Sequence, residues 1–385
     1  MLPTGDRLVC HVCGSSEATA VVDFDRLRTL TSDVRPWPAQ STLLTCPRCS
    51  ITTKLVDSEY LAQVGEVYAT YDLFELSGGS DQEKMGTGGF STRSHQIIAG
   101  LKASGLIGRT GDLLDFGCGR GAFLQAFAQL VPDWTLTGSD QTEVNREEIE
   151  RIPGACYTSS PLTEMESSFD LISMVHVLEH IPNPLAVLAD LTARLSPRGL
   201  LLIQVPHLMQ SPFDVAIFDH CSHFNPAGLC GLLDMASFEV LSVTTDWVSK
   251  EISVVARPSG PAGAFVEQQS TGTEEVVRWL LRVSQDLRSM RDVDRPLGVL
   301  GTTNAALWAD LETDGRLDFF VDESPARQGK DFFGRPVLTT SQIPEGALVY
   351  VPFVKHLALP IVERLKTLGV DARHPDELSP LREPQ

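Results

Sequence analysis

The sequence predicts an α/β fold built on a doubly wound, Rossmann-like sheet, and two observations support this prediction. The run Leu113-Leu-Asp-Phe-Gly-Cys-Gly-Arg-Gly-Ala-Phe123 begins with apolar residues and then places glycines at every second position. Such a run ends a buried parallel strand and turns tightly into a helix. Downstream, short apolar segments alternate with helical segments, which is the pattern of a parallel sheet covered by helices.

The individual elements follow from apolar periodicity and from the turn residues between the runs. A helix is predicted over Pro184–Leu195, because its leucines fall on one face. Sheets of this kind bind ligands beyond the carboxyl ends of their strands, where Gly117, Asp140 and the segment Val175–His180 fall. The predicted strands are Leu113–Phe116, Trp134–Gly138, Phe169–Val175, Gly199–Val205, Phe238–Thr244 and Ile252–Ala256.

The glycine run predicts a cofactor site at the first of these strand ends. Glycines let the backbone approach a bound cofactor, with the N–H groups of the following helix aimed at it. Asp140 follows about 20 residues later, where a second strand would place a carboxylate on ribose hydroxyls. A dinucleotide site of the G-x-G-x-x-G type is the alternative. Here, however, the third glycine comes two residues after the second, not three.

The same residues resemble the D-x-G-C-G-x-G cofactor motif of class I S-adenosylmethionine (SAM) methyltransferases. The resemblance implies that Asp115 lies near the amino-acid end of SAM and that Asp140 holds the ribose diol. The string His176-Val-Leu-Glu-His180 is common after the fourth strand in that family, and it implies that His176 lies near the cofactor. The predicted cofactor-binding residues are Asp115, Gly117, Cys118, Gly119, Gly121, Asp140, Gln141, Val175 and His176.

Four of the eight cysteines form two C-x-x-C pairs, Cys10-His-Val-Cys13 and Cys46-Pro-Arg-Cys49. Two such pairs converge on one tetrahedral Zn²⁺, and four thiolates leave no open coordination position, so we expect a structural zinc. Unrelated thiols and a redox pair are the alternatives, but no βαβ pattern surrounds either pair. His11, between the first two cysteines, is interpreted as a bystander.

Charge and hydropathy restrict the function classes. The chain has 385 residues, enough for two or three domains, and a formal net charge of −19 at pH 7. This acidity disfavours non-specific binding to nucleic acid or to anionic membranes. The sequence has neither a transmembrane run of apolar residues nor the apolar region of a signal peptide. We therefore expect a cytoplasmic monomer or homodimer that acts on a small molecule and binds neither nucleic acid nor membrane.

The sequence divides into three predicted domains. They are an N-terminal zinc-binding module at 1–80, a SAM-dependent methyltransferase domain at 81–257 and a C-terminal Rossmann-like α/β domain at 258–385. Residues 257–272 have a linker composition, and an amphipathic helix with Val276, Leu280, Val283 and Leu287 on one face follows them. The C-terminal domain is interpreted either as a nucleotide-binding domain or as a degenerate nucleotide fold with a structural or substrate-binding role.

This domain order resembles that of the sugar C-methyltransferases of antibiotic biosynthesis, which methylate C3 of nucleotide-linked 4-keto-6-deoxysugars. The zinc spacing and the domain order are its most specific elements. Residues 321–329, Val-Asp-Glu-Ser-Pro-Ala-Arg-Gln-Gly, also resemble the family signature D-x-x-P-x-K-x-G, with Arg327 in place of the lysine. The resemblance implies a substrate of the nucleotide-sugar class.

The segment Ile217-Phe-Asp-His-Cys-Ser-His-Phe224 is similar to the family's catalytic Y-H-E-H-L-S-Y-F string. Aligning the second histidine implies that His220 is the general base and that Asp219 replaces the neighbouring glutamate. Ile217 and His223 replace the two tyrosines, and we assign His223 to substrate binding. A loop histidine without chemistry is the alternative for His220.

Four further residues are candidates for the same site. His180 is interpreted as a second acid or base, with a pocket wall without chemistry as the alternative. His207 follows the fourth predicted strand and is expected to line the substrate pocket. Tyr68 and Tyr71 resemble the family's aromatic lid and are assigned to substrate binding, although core packing explains them equally well.

The histidine base decides the predicted reaction. Transfer of a methyl group to carbon requires a carbanion or enolate, so a proton α to a ketone must leave to a base of near-neutral pKa. We therefore predict C-methylation of a small keto substrate. The alternatives are O- or N-methylation of another natural-product scaffold, which needs no such base, and a SAM-binding scaffold or RNA methyltransferase. The acidic charge disfavours RNA.

Overall fold

The computed structural model describes residues 8–70, 81, 83–86, 89–260 and 272–375. The N-terminal module consists of short strands and one helix, which Asp57 caps by accepting a hydrogen bond from Tyr60 N. Its elements are β1 (Thr19–Ala20), β2 (Thr29–Leu30), β3 (Pro36–Trp37), β4 (Leu43–Thr45), β5 (Thr52–Lys54) and α1 (Ser58–Ala69). A hairpin and a helix lead into the next domain: β6 (Glu83–Gly86), β7 (Gly89–Thr92) and α2 (Arg93–Ala103).

The second domain is a seven-stranded sheet with helices on its faces, and it confirms the predicted doubly wound α/β fold. Its elements are β8 (Gly111–Phe116), α3 (Ala122–Leu130), β9 (Trp134–Ser139), α4 (Arg146–Glu150), β10 (Ala155–Thr158), β11 (Phe169–Val175), α5 (Pro184–Thr192), β12 (Leu195–Pro206), β13 (Ser222–His223), α6 (Pro226–Met235), β14 (Phe238–Thr244) and β15 (Glu251–Pro258). The strand order is β10-β9-β8-β11-β12-β15-β14. The reversal between β8 and β11 opens a crevice at their carboxyl ends.

The sheet differs from the predicted parallel arrangement at β15, which runs antiparallel to both β12 and β14. Only residues 245–250 connect β14 to β15, and this connection is too short for a parallel crossover. Strand β10 was not predicted, because Ala-Cys-Tyr-Thr carries a weak strand signal and depends on pairing with β9. The predicted helix over Pro184–Leu195 ends at Thr192, because Leu195 already belongs to β12.

The C-terminal domain is a second α/β unit around a six-stranded sheet of order β18-β19-β17-β16-β20-β21, in which only β18 is antiparallel to its neighbour. Its elements are α7 (Thr273–Ser289), β16 (Leu297–Leu300), α8 (Asn304–Glu312), β17 (Phe319–Val321), β18 (Asp331–Phe332), β19 (Arg335–Leu338), β20 (Leu348–Tyr350), α9 (Lys355–Thr367) and β21 (Asp371–Arg373). Helix α7 is the predicted amphipathic helix, and its four predicted apolar residues are buried. Most of the predicted linker lies outside the described residues.

The three regions share apolar packing. One cluster combines Phe24 and Leu30 of the N-terminal module with Phe213 of the second domain and with Trp279 and Trp308 of the C-terminal domain. The ring of Phe213 makes edge-to-face contacts with both tryptophans, at centroid distances of 5.7 and 5.4 Å. Burying one ring against two others stabilises the contact between the domains beyond its area alone.

The N-terminal sheet is completed by a strand from the second domain. Its order is β1-β4-β5-β13, and β13 contains His223 of the predicted catalytic segment. The predicted module at 1–80 therefore shares its sheet with residues far along the chain. Within the described ranges, no helix combines the length and the apolar character needed to cross a bilayer.

Replacing Phe213 by Ala tests whether the three regions unfold together. We expect the free energy of unfolding to fall by about 3–5 kcal/mol, because the cavity lies between two tryptophans. Urea denaturation followed by tryptophan fluorescence and by circular dichroism measures this change. Val144→Ala, at an exposed position, is the control and should change stability by less than about 0.5 kcal/mol. An equally small change for Phe213→Ala would contradict the shared core.

Candidate active site

The glycine loop after β8 forms the floor of the crevice. Gly117 has a φ of 73°, and a Cβ there would lie 2.5 Å from Val177 Cγ2, so no larger residue fits. The N–H groups of Gly117 and Cys118 both donate to Ser139 O, which fixes the loop against the end of β9. Gly121, with a φ of 79°, directly precedes α3. The loop therefore presents its backbone to the crevice, as the sequence predicts.

Asp140 stands at the rim of this loop. One carboxylate oxygen accepts from Gly119 N at 2.9 Å and the other from Gln141 N at 2.7 Å. The residue is half-buried, so its carboxylate remains accessible to the hydroxyls of a ribose. Val175, at the end of β11, and His176 flank the same crevice. The structure brings these cofactor candidates together, and their contact with SAM remains a prediction.

Two cofactor candidates, Asp115 and Cys118, have buried side chains. The Asp115 carboxylate is only 2% exposed and accepts a hydrogen bond from Ser173 Oγ at 2.7 Å. Burial raises the pKa of Asp115 to about 7. The Cys118 side chain packs into the apolar cluster beneath the sheet. The side chains of Asp115 and Cys118 thus support the loop from below, and their contact with the cofactor stays a prediction.

His176 occupies a strained position beside the loop. Its φ of 57° lies in the left-handed region, which is unfavourable for a non-glycine residue and concentrates at functional sites. Nδ1 lies 2.9 Å from Glu179 Oε1, and Nε2 lies 3.1 Å from Glu251 Oε2. Burial and Arg93 would lower the pKa of His176, but the two glutamates raise it above its ordinary value. His176 is thus held between two carboxylates that the sequence analysis did not assign.

His220 is held by a carboxylate, but this carboxylate belongs to Asp214. His220 Nδ1 lies 2.6 Å from Asp214 Oδ1, and His223 Nδ1 lies 2.6 Å from Asp214 Oδ2. Asp214 lies on a short 3₁₀ helix, Pro212–Ala216, and is 2% exposed. A carboxylate only accepts hydrogen bonds, so Nδ1 of each ring carries the proton and Nε2 is the basic nitrogen. His220 Nε2 has no partner among the described residues.

Burial and charge shift the pKa values of Asp214, His220 and His223. Burial alone would lower the pKa of His220, but the Asp214 carboxylate raises it above its ordinary value. Burial would raise the pKa of Asp214, but its two imidazole partners lower it. For His223 burial dominates and lowers the pKa to about 4. Asp214 therefore stays ionised, and His220 is the stronger base of the two histidines.

Asp219 does not contact the His220 ring through its carboxylate, contrary to the expected role. Its oxygens accept hydrogen bonds from Ser32 N, at 2.8 Å, and from Ser32 Oγ. One of them also lies 3.5 Å from His180 Nδ1. Consecutive residues on this tight segment point in different directions, so the acid next to His220 in sequence serves another partner. Asp219 anchors the segment to the N-terminal module.

His180 completes the site beside His220. The two rings meet edge to face, with centroids 4.5 Å apart. His180 Nδ1 lies 3.0 Å from the Asp219 carbonyl oxygen and 3.0 Å from Tyr68 Oη, so its Nε2 is also the basic nitrogen. Burial and His220 lower the pKa of His180. Tyr68 thus lies beside His180, and its assignment to substrate binding stays a prediction, whereas Tyr71 lies outside the described residues.

The two remaining substrate candidates, His223 and His207, are buried and take part in hydrogen bonds within the protein. The His223 side chain is fully buried because β13 pairs with β5. His207 is 9% exposed, and its Nδ1 accepts a hydrogen bond from Met209 N at 3.1 Å. Burial lowers the pKa of His207 to about 4. Both rings have partners inside the protein, and their assignment to substrate binding stays a prediction.

Residues missed by the sequence analysis supply the charges of the site. Asp214 was detectable as a lone acid within the apolar run Pro212–Ile217. Glu179 stands inside the quoted His176–His180 string, between two assigned histidines. Glu251 and Lys54 gave no signal, since each lies in an ordinary strand segment, and only the tertiary structure brings them near the histidines.

The four cysteines of the N-terminal module form one cluster. Cys10 Sγ lies 3.6 Å from Cys49 Sγ, and Cys13 Sγ lies 3.5 Å from Cys46 Sγ. All four sulfur atoms lie within 4.8 Å of one another, and no disulfide joins them. Tetrahedral Zn²⁺ with bonds of about 2.3 Å separates its sulfur ligands by about 3.8 Å. The donor set and its spacing fit zinc. His11 is not part of this cluster, and its ring nitrogens instead lie 2.8 Å from Pro182 O and 3.0 Å from Cys221 O.

Comparison with known proteins agrees with this geometry. Residues 91–243 match the family described as a methyltransferase domain. These residues of the chain form a methyltransferase domain with the class I fold. The match begins within β7 and ends within β14, so it includes the glycine loop, Asp140, His176, His180 and the Asp214–His220 pair. The predicted fold class and the prediction of a SAM-dependent methyltransferase enzyme are confirmed for this domain.

Individual relatives resemble the methyltransferase domain only in part. The C-methyltransferase NovU of Streptomyces niveus is 32% identical over 163 residues, which cover 39% of this chain and 38% of NovU. Trans-aconitate 2-methyltransferase of Deinococcus radiodurans is 30% identical over 113 residues, covering 29% of this chain and 40% of that protein. The chain thus spans less than half the length of these relatives. A solved structure of the plantazolicin methyltransferase BpumL has a TM-score of 0.42 at 15% identity, covering 52% of this chain and 96% of BpumL.

Replacing Asp214 by Asn tests the carboxylate–imidazole pair. We expect the pKa of His220 to fall, because the burial penalty remains while the negative charge that opposes it is lost. NMR titration of histidines labelled at the ring carbon, with His220 identified from its own substitution, measures this pKa. Asp234→Asn, at an exposed position of α6, is the control and should leave the titration unchanged. An unchanged pKa in Asp214→Asn would exclude Asp214 as its determinant.

Replacing Cys46 by Ser tests the zinc cluster. We expect wild-type protein to contain about one zinc per chain and Cys46→Ser to lose most of it, together with stability, because folding and metal binding are coupled. Elemental mass spectrometry and thermal unfolding measure both quantities. Cys156→Ser changes an exposed cysteine and should retain metal and stability. Metal-free wild-type protein of unchanged stability would contradict a structural zinc.

Proposed function

We propose that the chain is a SAM-dependent C-methyltransferase that acts on a small keto substrate of the nucleotide-deoxysugar class, with His220 as the base. One observation carries the proposal: a buried imidazole is held through Nδ1 by the Asp214 carboxylate at 2.6 Å and keeps Nε2 for chemistry. The partner raises the pKa of His220, as a base for carbon acids requires. O- or N-methylation has less need of such a pair, because a hydroxyl or amine is already a nucleophile.

The position of this base relative to the cofactor crevice supports the proposal. Val177 packs against Gly117 of the glycine loop, and three residues later His180 packs against His220. The 3₁₀ turn Leu178–His180 therefore links the crevice to the base. Gly117, Gly119, Asp140 and Gln141 would hold SAM. When bound, SAM supplies an electrophilic methyl group.

The residues of the chain would act as follows. His220 Nε2 accepts the proton from the carbon α to the ketone, and the Asp214 carboxylate stabilises the imidazolium that results. His180 and Tyr68 lie beside it and contact the oxygen atoms of the substrate. Burial of the group excludes water, which strengthens the interaction of Asp214 with the charged ring. The enolate would thus form where the glycine loop can present the methyl donor.

The substrate class rests on similarity and composition. NovU, similar to this chain over the methyltransferase domain, is named a C-methyltransferase. The four-cysteine module and the second α/β domain match the domain order of the deoxysugar enzymes described above. The departures Ile217, Phe218 (in place of the family's first histidine) and His223 change side chains of the catalytic segment, and all three are buried, which favours a role in shaping the segment. We further propose that the cysteine cluster binds structural zinc.

The proposed function is tested by mass spectrometry of reactions in D₂O with SAM and dTDP-4-keto-6-deoxyglucose derivatives. We expect addition of one methyl group and deuterium exchange at the carbon α to the ketone. His220→Gln should lower both by about 10²–10⁴-fold, since it removes the base. The rate should rise with pH through the raised pKa of His220, because only the neutral ring accepts a proton.

The control is His374→Gln, which changes a histidine beyond β21 and should leave methylation and exchange unaffected. Binding of S-adenosylhomocysteine, measured by calorimetry, should be the same in His220→Gln and in wild type. Methylation of an oxygen or nitrogen acceptor that survives His220→Gln would contradict the proposal and favour heteroatom transfer.

A further inference from the structure

We propose that Lys54 and Tyr60, both in the N-terminal module, are positioning residues of the active site that hold the backbone of the His220 segment. The inference rests on the proposed function in its assignment of His220 as base. It adds a role for the module besides metal binding. Lys54 lies on β5 and Tyr60 on α1, and neither belongs to the methyltransferase domain.

Both side chains converge on the two residues that precede Asp219. Lys54 Nζ donates to Phe218 O at 3.0 Å and also to Ile217 O. Tyr60 Oη donates to Phe218 O at 3.0 Å. One carbonyl oxygen thus accepts from a lysine and a tyrosine, and the neighbouring carbonyl accepts from the same lysine. The backbone two residues before His220 is fixed by side chains of another domain.

The main chain of the module holds the same segment from other sides. Phe218 N donates to Leu30 O at 2.6 Å, and Lys54 N donates to Cys221 O at 2.9 Å. Strand β5 pairs antiparallel with β13, which directly follows Cys221. Residues 217–223 therefore lie within a frame of N-terminal residues. Lys54 contacts the segment through both its backbone and its side chain.

The burial of Lys54 indicates that this position requires a hydrogen-bond donor. The side chain is fully buried, and burial lowers its pKa to about 7, although Asp219 and Asp214 oppose that shift. An apolar side chain of similar length would fill the same space without the cost of desolvating an ammonium group. The ammonium satisfies two carbonyl groups and lies in the field of the two carboxylates next to His220 and His180. Through these contacts Lys54 would hold the orientation of the segment that carries His220.

The test compares Lys54→Met with Lys102→Met. Met keeps the length of the side chain and removes the donor, and Lys102 is an exposed lysine that also donates to a backbone carbonyl, Leu130 O at 2.7 Å. Hydrogen–deuterium exchange of the peptide 217–221 and NMR titration of His220 are measured on the full chain with bound S-adenosylhomocysteine. For Lys54→Met we expect at least about tenfold faster exchange in this peptide and a displaced His220 titration, with β8 and β11 unchanged. Lys102→Met should match wild type.

If Lys54→Met does not fold, Tyr60→Phe tests the positioning role instead. It removes one hydroxyl and keeps the ring packed on Phe218 at a centroid distance of 5.3 Å. We expect smaller changes in the same peptide, and a double variant whose effects are not additive, since both donors share Phe218 O. Unchanged exchange and titration in folded variants, or equal acceleration over the whole chain, would overturn the proposal.

These readouts need no methyl acceptor, so they separate the positioning role from the proposed reaction. If exchange and titration respond as expected while no keto substrate is methylated, only the assignment of the reaction fails. If a keto substrate is methylated and Lys54→Met keeps wild-type kcat with unchanged exchange, only the positioning role fails. With both correct, kcat should fall at least about tenfold while the KM for SAM stays the same.

Discussion

The carboxylate of Asp214 is the constraint on which the active site depends. It is buried, ionised and shared by two imidazole rings, each at 2.6 Å. A buried carboxylate is tolerated only when its oxygens accept hydrogen bonds, so both rings must present Nδ1–H to it. That requirement fixes the tautomer and orientation of His220. It also accounts for the buried position of His223, whose ring is the second donor to this carboxylate.

The apolar packing places this carboxylate. Phe213, the preceding residue, lies between Trp279 and Trp308 of the C-terminal domain, and Val215 belongs to the same cluster. The 3₁₀ turn that carries Asp214 is therefore fixed by a domain on one side, and the His220 segment is fixed by the N-terminal module on the other. The methyltransferase domain supplies both halves of the pair, and its neighbours determine how they meet.

Sequence patterns predicted what depends on local geometry. The glycine loop at Gly117, the acid at Asp140 and the amphipathic helix α7 each need a residue type at a fixed spacing, and each was found where expected. The two cysteine pairs also meet, because each C-x-x-C turn is itself a local structure. His180 and His220 were correctly brought together only through the resemblance to a family.

Predictions of side-chain partners were wrong where the partner is determined by tertiary contacts. Adjacency in sequence favoured Asp219 as the partner of His220, yet Asp214 takes that place and Asp219 bonds to Ser32. No periodicity distinguishes these two acids. Lys54 and Glu251 lie on strands whose burial depends on other regions of the chain, and no local sequence pattern marks either residue.

The two-residue strand β13 has a consequence for how such a chain can be divided. It provides the outer partner of β5, so a fragment that contains only the cysteine module would expose the unpaired N–H and C=O groups of Thr52 and Thr53 along a free edge. Free edges of this kind recruit other chains and lead to aggregation. A graft of the module onto another protein would therefore have to include a substitute for Ser222 and His223. The cysteine module is continuous in sequence, but the unit that could be transferred to another protein also includes β13, which lies far along the chain.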